Sequence, residues 1–295
     1  MTVVDAPGTA VLVPPGAAVP AAPPAETGLQ EAWPGRRGRR SLTIPRSVRR
    51  LVGPLLLVAV WQALTAGGVV SARTLAPPAD VYRAGLELWQ AGELQAHLLA
   101  SLRRAAAGLG IGVSVGVLLA TITGLLRLAD DLVDPAVQVL RAVPVLGLLP
   151  LVIIWFGIGE APKIALVAIG TAFPVYVNTH AAIRGVDAKL VEAATTFGLR
   201  RGSLIRHVVL PGAVPGFLVG LRFALTGAWL IMIVAEQINA KTGIGFLMNE
   251  ARVWFRTDII VLGLVVYGVL GLVTDGIVRL LERTLLSWRR GFAGS

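Results

Sequence analysis

The sequence predicts an all-α integral membrane protein with about six transmembrane helices and both termini in the cytoplasm. Of its 295 residues, 55% are hydrophobic and only 15% are charged, whereas about a quarter of a soluble domain is charged. The mean hydropathy is +0.74, and uncharged stretches of about 20 residues recur, which is the length that a bilayer-spanning helix needs. The chain contains no cysteine, which excludes disulfides, thiolate metal sites and cysteine nucleophiles.

The first 50 residues differ in composition from the rest of the chain. Residues 1–35 hold seven of the 18 prolines and no apolar periodicity, a composition that favours disorder. They lack the basic start and apolar core of a signal peptide. Seven arginines follow within 36–50. We therefore predict a disordered tail that becomes basic and cytoplasmic over 1–50, followed by a transmembrane domain over 51–290.

Six apolar stretches are the candidate membrane spans. The second has no charge over 22 residues, which as a helix reaches about 33 Å and crosses the hydrocarbon core. The third is shorter and is interrupted by Pro144 and Pro150. The predicted spans cover about 51–70, 105–126, 142–159, 164–183, 213–235 and 259–278.

Basic residues indicate how these spans are oriented. With a cytoplasmic amino terminus, the inner segments carry 18 of the 27 lysines and arginines. This bias follows the positive-inside rule and explains the net charge of +10 without nucleic-acid binding. The outer segment 71–104 is long and partly amphipathic, and we expect a helix there at the membrane surface.

The inner loop 184–211 has the pattern of two short helices. Asp187 can cap the start of the first helix, and Gly198 can end it in a left-handed conformation. A second helix from about Leu199 is expected to stop before Pro211. Physical reasoning alone leaves two interpretations open, a docking element for another protein and an ordinary amphipathic connector.

A motif in this loop resembles a family signature. Glu192-Ala193-Ala194, then Gly198 after three residues, then Val208 after nine more, then Leu210-Pro211, is similar to the cytoplasmic signature of ABC importer permeases, with Val208 in place of isoleucine. The resemblance extends from about Leu75 to Arg290. Segments such as 141–144 and 155–164 resemble the nitrate/sulfonate/taurine type, and the aliphatic sulfonate branch is the most similar.

The resemblance implies a type I ABC importer permease fold in the bacterial cytoplasmic (inner) membrane. Two copies, a homodimer in the simplest case, would form a path for a small anionic solute, such as an aliphatic sulfonate, taurine or nitrate. An extracytoplasmic substrate-binding protein would deliver the solute, and a cytoplasmic ABC ATPase would drive alternating access. ATP and Mg²⁺ would bind to that ATPase, so the chain itself would be neither an enzyme nor a cofactor carrier. The coupling residues would be Glu192, Ala193, Ala194, Gly198, Leu210 and Pro211.

One feature of the sequence agrees with a separate energy source. A phosphate-binding loop requires a Gly-Lys pair, and the chain has none. The energy must therefore come from another polypeptide or from an ion gradient. The second option corresponds to an ion-coupled secondary transporter, which would use Arg222, Glu236 and Asp275. No internal inverted repeat of the kind typical of such transporters is visible.

Charges within spans are functional candidates by default. Arg222, Glu236 and Trp229 are the candidates for the translocation path. Two interpretations apply to Arg222. It either lines a path for anions or forms a structural pair with a carboxylate or with free backbone carbonyls, and the structural pair is favoured. Glu236 and Asp275 are expected to be interfacial, and His180 to be a packed or interfacial residue. The three histidines show no metal-ligand spacing, so no metal site is predicted. Glycines repeat every four residues at 108–116 and 212–220, which predicts close helix packing, within one subunit or between two.

Overall fold

The structure is a computed structural model that describes residues 46–71 and 73–288. The predicted disorder of residues 1–35 lies outside the described residues. Within them, regular structure is entirely helical, in agreement with the predicted all-α class. The helices are α1 (Arg46–Ala66), α2 (Pro78–Gln90), α3 (Glu93–Leu125), α4 (Arg127–Leu140), α5 (Leu149–Phe156), α6 (Glu160–Arg184), α7 (Ala188–Thr196), α8 (Arg201–Leu204), α9 (Leu210–Asn239), α10 (Ile244–Val253) and α11 (Thr257–Leu285).

Helices long enough to cross a bilayer account for most of the predicted spans. Among the described residues, four are both long and apolar enough: 93–125, 160–184, 201–238 and 257–285. A fifth candidate is a pair, 127–140 with 145–156, bent by 85°. The apolar part of α1, 52–66, is shorter. The third predicted span, 142–159, is therefore not one straight helix. Residues 142–144 are not helical, and a 3₁₀ turn, Val145–Leu148, stands between Pro144 and α5. A proline restricts the residue before it and cannot donate a helical hydrogen bond.

Helices α3, α6 and α9 form the centre of the bundle, and the predicted glycine faces hold them together within the subunit. A Cβ built on Gly112 would lie 2.0 Å from Thr171 Oγ1 and 2.4 Å from the Ala168 carbonyl oxygen. One built on Gly216 would lie 2.4 Å from Ala182 Cβ. The backbones are thus too close for any side chain, which is the packing that small residues permit in membranes.

The outer segment 71–104 contains the predicted amphipathic helix, α2. Val81 and Ala84 are buried, and Tyr82 and Trp89 are exposed on its other side. Trp61 in α1 donates a hydrogen bond from Nε1 to the Ala76 carbonyl oxygen at 3.1 Å, which attaches α1 beside the start of α2. Helix α3 begins at Glu93, well before the predicted start of the second span near 105.

Candidate coupling surface and buried charge cluster

The predicted inner loop folds locally as its sequence indicates. Asp187 Oδ1 accepts a hydrogen bond from the Lys189 backbone N–H at 2.9 Å, which confirms the predicted cap of α7. Gly198 has φ of +80°. The Leu199 N–H donates to the Ala194 carbonyl oxygen at 3.1 Å and the Gly198 N–H to that of Thr195 at 2.9 Å. This pair of bonds is a Schellman motif, and it confirms that Gly198 ends α7.

Helix α7 presents an open surface. None of its nine residues, all of which the structure describes, is buried. Glu192 and Ala193 of the signature motif are exposed. Two large apolar side chains are exposed beside them, Leu190 at 58% and Phe197 at 86%. The sequence motif does not point to Phe197, although an apolar residue directly before the helix-ending glycine could have drawn attention to it. Exposed apolar side chains on a short capped helix are suited to contact with another protein.

The end of the loop differs from the prediction. The second helix of the loop does not stop before Pro211. The chain is helical without interruption from Arg201 to Ile238. Leu210 and Pro211 follow directly on a π-helical turn, Ile205–Val209. A π turn is wider than an α turn, so it can accommodate the proline ring without a break. The second short helix of the loop is thus continuous with a membrane-crossing helix.

Arg222, the first path candidate, is paired with carboxylates of α11. Its Nη2 lies 2.8 Å from Glu282 Oε2, and its Nε lies 3.5 Å from Asp275 Oδ1. Arg279 Nη2 lies 2.6 Å from the other oxygen of Asp275. These contacts agree with the structural-pair interpretation of Arg222. About 41% of its side chain is still accessible in the single chain.

The other two path candidates, Trp229 and Glu236, lie inside the bundle. Trp229 is 9% exposed, donates from Nε1 to Thr274 Oγ1 at 3.4 Å, and has its ring centroid 6.2 Å from that of Tyr267. Glu236 is fully buried. Glu236 lies near the end of its helix, as expected, and polar partners from other helices surround its carboxylate.

Glu236 is the centre of a hydrogen-bonded cluster. Its carboxylate accepts bonds from Arg104 Nη1 at 2.7 Å and Ser101 Oγ at 2.8 Å, both on α3. It also accepts bonds from the Gly245 N–H at 2.9 Å and the Tyr267 hydroxyl at 3.2 Å. A buried charge is tolerated only when it is paired and hydrogen-bonded, and Glu236 meets both conditions. The carboxylate therefore joins α3, α9, α10 and α11.

The same arginine binds a second carboxylate at the edge of the cluster. Arg104 bonds to both carboxylate oxygens of Glu160, and its Nη2 lies 2.9 Å from Glu160 Oε1. Lys163 Nζ lies 3.2 Å from that oxygen. The Arg104 and Lys163 side chains are 5% and 2% exposed, whereas that of Glu160 is 58% exposed. The sequence does not predict this cluster, because Arg104 precedes the predicted second span and its partners are 56 and 132 residues away.

A third polar group lies between α4 and α6. His180 Nε2 is 2.8 Å from Asp130 Oδ1, Arg184 Nη2 is 3.3 Å from the other oxygen of Asp130, and the Tyr176 hydroxyl donates to Asp134 Oδ1 at 2.9 Å. Ligand-type atoms of the histidine and both aspartates lie within 4.8 Å of one another. The sequence does not predict this grouping, which depends on packing between two helices. Asp130 is paired with the guanidinium of Arg184, and Asp134 accepts a hydrogen bond from the Tyr176 hydroxyl. The contacts are therefore those of an ion-paired cluster.

Comparisons with known proteins identify what this architecture is similar to. Residues 112–287 match the family of the binding-protein-dependent transport system inner membrane component. A protein of Escherichia coli (strain K12) named as an aliphatic sulfonates transport permease, SsuC, is 47% identical over 239 residues, or 81% of this chain and 91% of its own length. Its namesake in Bacillus subtilis (strain 168) is 40% identical over 84% of this chain and 90% of its own.

More distant similarity agrees with these matches. The taurine transport system permease protein TauC of Escherichia coli (strain K12) is 32% identical over 88% of this chain and 97% of its own length. The crystal structure of an amino acid ABC transporter with histidines aligns with a TM-score of 0.57 over 68% of this chain and 97% of that chain, at 20% identity, which shows a shared fold. The chain therefore belongs to the family of binding-protein-dependent transport system inner membrane components, with the fold of type I ABC importer permeases.

Proposed function

We propose that the chain is the permease subunit of an ATP-driven importer for small aliphatic sulfonates, located in the bacterial inner membrane. The observation that carries the proposal is the coupling surface, defined as α7 with Gly198 and Phe197. It is exposed, capped at both ends, and connected through α8 to a helix that crosses the membrane. The names of the SsuC relatives support sulfonates as the solute, and taurine, a sulfonate with an amino group, is consistent with the TauC relative.

In this proposal the coupling surface docks on a separate cytoplasmic ABC ATPase. Glu192 is the polar anchor, and the small residues Ala193 and Ala194 let the partner approach the helix closely. Leu210 and Pro211 begin α9, so a displacement of the docked loop acts directly on that helix. A second copy of the chain completes the translocation path, and an extracytoplasmic binding protein delivers the solute. Closure of the ATPase dimer on ATP would switch the path between its inward-facing and outward-facing states.

The test combines co-purification with uptake. The tagged chain is extracted in mild detergent from its native host, and the polypeptides that travel with it are identified. Uptake of radiolabelled ethanesulfonate is measured in the same cells. We expect an ATPase to co-purify with the wild-type chain, and Glu192→Ala to reduce both its recovery and the uptake. The matched control is Glu87→Ala, which removes an exposed glutamate from α2 and should leave both unchanged.

Three outcomes would contradict the proposal in whole or in part. Equal ATPase recovery and uptake for Glu192→Ala and Glu87→Ala would remove Glu192 from the coupling surface. A chain that purifies without an ATPase and transports in vesicles without ATP would instead indicate an ion-coupled secondary transporter. Ethanesulfonate uptake that does not depend on the chain, together with ATPase co-purification, would exclude sulfonates and retain the importer.

A further inference from the structure

We propose that Arg104 and Lys163 form a binding site for the anionic head group of the transported solute, and that the carboxylate of Glu160 occupies this site until the solute displaces it. The inference rests on the proposed function, because it names where an imported sulfonate would be held. The site is defined by the guanidinium of Arg104, the ammonium of Lys163 and the amino-terminal end of α6.

The two cations of the proposed site and the carboxylate that occupies it differ in solvent exposure. Both cations are almost completely buried, whereas more than half of the Glu160 side chain is accessible. Glu160 reaches the two buried cations from the accessible side, so its carboxylate keeps part of its hydration while it is paired with them. An anion arriving from that side would meet the same guanidinium and ammonium groups.

The charges of the cluster leave room for one monovalent anion. Arg104 and Lys163 contribute two positive charges, and Glu160 and Glu236 contribute two negative ones, so the cluster is neutral. Glu236 is fully buried and accepts bonds from four residues, which makes it the fixed half. Displacement of Glu160 alone leaves Arg104, Lys163 and Glu236 with a net charge of plus one, a state that is costly in a buried cluster unless an anion replaces Glu160. Release of Glu160 is therefore favourable only when a solute anion enters.

The geometry suits a group with several equivalent oxygens. Arg104 contacts both oxygens of Glu160, which is the bidentate arrangement that a guanidinium makes with planar or tetrahedral oxyanions. Lys163 shares one of these oxygens, as a point charge does. Glu160 is the first residue of α6, and the helix dipole favours an anion at that end. A sulfonate would offer its oxygens to the guanidinium and the ammonium, and its apolar tail would remain on the accessible side.

The central variant is Glu160→Gln, because the amide keeps the size of the side chain and removes the competing charge. The full-length chain is reconstituted in nanodiscs at fixed ionic strength, and the equilibrium binding of radiolabelled ethanesulfonate is measured. A neutral carboxamide binds a guanidinium less strongly than a carboxylate does. We therefore expect the Kd for ethanesulfonate to fall about tenfold, which corresponds to about 1.4 kcal/mol. Ethanesulfonamide, the neutral analogue, should bind neither protein.

The matched control is Glu282→Gln, which removes the same charge from the Arg222 pair and should leave ethanesulfonate binding at the wild-type level. Glu160→Asp is a second variant that preserves the charge balance. Its shorter side chain reaches the cations less well, so it should tighten binding to a smaller extent. Lys163→Gln in the Glu160→Gln background should abolish the gain. Melting temperatures of all variants report whether each is folded.

The proposal is overturned if folded Glu160→Gln binds ethanesulfonate no more tightly than wild type, or if Glu282→Gln tightens binding equally. If Glu160→Gln does not fold, unchanged binding by Glu160→Asp overturns it. Its failure is distinct from failure of the proposed function. Cells that import ethanesulfonate through the intact transporter, combined with unaltered binding by the variants, would reject only this site. Tighter binding of acetate and ethanesulfonate alike by Glu160→Gln, without sulfonate uptake in cells, would support an anion site and reject the sulfonate assignment.

Discussion

Replacement of Gly198 by alanine tests whether the coupling surface depends on the shape of its backbone. Gly198 has φ of +80°, and a Cβ at this position would meet no atom within 4 Å. The substitution thus creates no steric clash, and its cost comes from the left-handed conformation alone. That cost is about 1–2 kcal/mol for a residue with a Cβ. In the proposed complex α7 ends at this turn, and a free loop of the Gly198→Ala variant that relaxes from the strained turn must regain it on docking. We therefore expect ATPase affinity to fall by a factor of up to about 30.

The assay is titration of the co-purified ATPase onto nanodisc-embedded permease, with sulfonate uptake in cells as a second readout. Gly198→Asn should lose less affinity than Gly198→Ala, because asparagine adopts the left-handed conformation more readily. Gly202→Ala is the control within the same loop, since Gly202 also has open space around its Cβ position but lies in α8 without a positive φ. Affinities that are equal for Gly198→Ala and Gly202→Ala would refute the reasoning.

Two further predictions concern packing and orientation. Gly112→Ala should reduce the free energy of unfolding by about 1–3 kcal/mol and lower the melting temperature, because its Cβ would overlap Thr171 and the α6 backbone. Gly110→Ala is the control, since its Cβ meets nothing within 4 Å and its melting temperature should not change. Equal melting temperatures for the two variants would contradict the α3–α6 contact. The chain has no cysteine, so a single introduced cysteine is the only thiol that a maleimide can label. With an impermeant maleimide, Arg200→Cys should react only from the cytoplasm and Lys241→Cys only from outside. The reverse pattern would contradict the predicted topology.

The local structure of α7 and its two ends could be predicted from sequence, because near neighbours determine it. A capping aspartate bonds two residues ahead, and a glycine ends the helix through bonds that span five residues or fewer. Both are recognisable as residue types at a fixed spacing. The fold class was also predictable, since apolar length is sufficient to identify a spanning helix. In each case the decisive interaction is local or is made with the bilayer.

The charge cluster could not be predicted, because its interactions depend on which helices pack together. Arg104 and Glu236 are 132 residues apart in sequence, and hydropathy placed both near span ends, where charges usually face water. Helix α3 starts earlier than its uncharged stretch does, so its arginine turns inward. The prediction that the second helix of the loop stops before Pro211 was wrong for a related reason. Proline ends many helices, but here a π turn precedes Pro211 and the helix continues.

Helix α9 physically connects the coupling surface to the charge cluster. The continuous helix from 201 to 238 has 38 residues and a length of about 57 Å, well beyond the roughly 30 Å of a hydrocarbon core. One end of this continuous helix lies next to α7, and the other carries Glu236. Breaking a buried pair such as Arg104 with Glu236 costs about 3–5 kcal/mol, so we expect the helices that Glu236 joins to move as one body. Helix α6 belongs to the same body, because glycine faces pack it closely against α3 and α9. In the proposed site an entering anion replaces the accessible carboxylate of Glu160, so solute binding would act on the amino-terminal end of α6 and leave its packing against α3 in place.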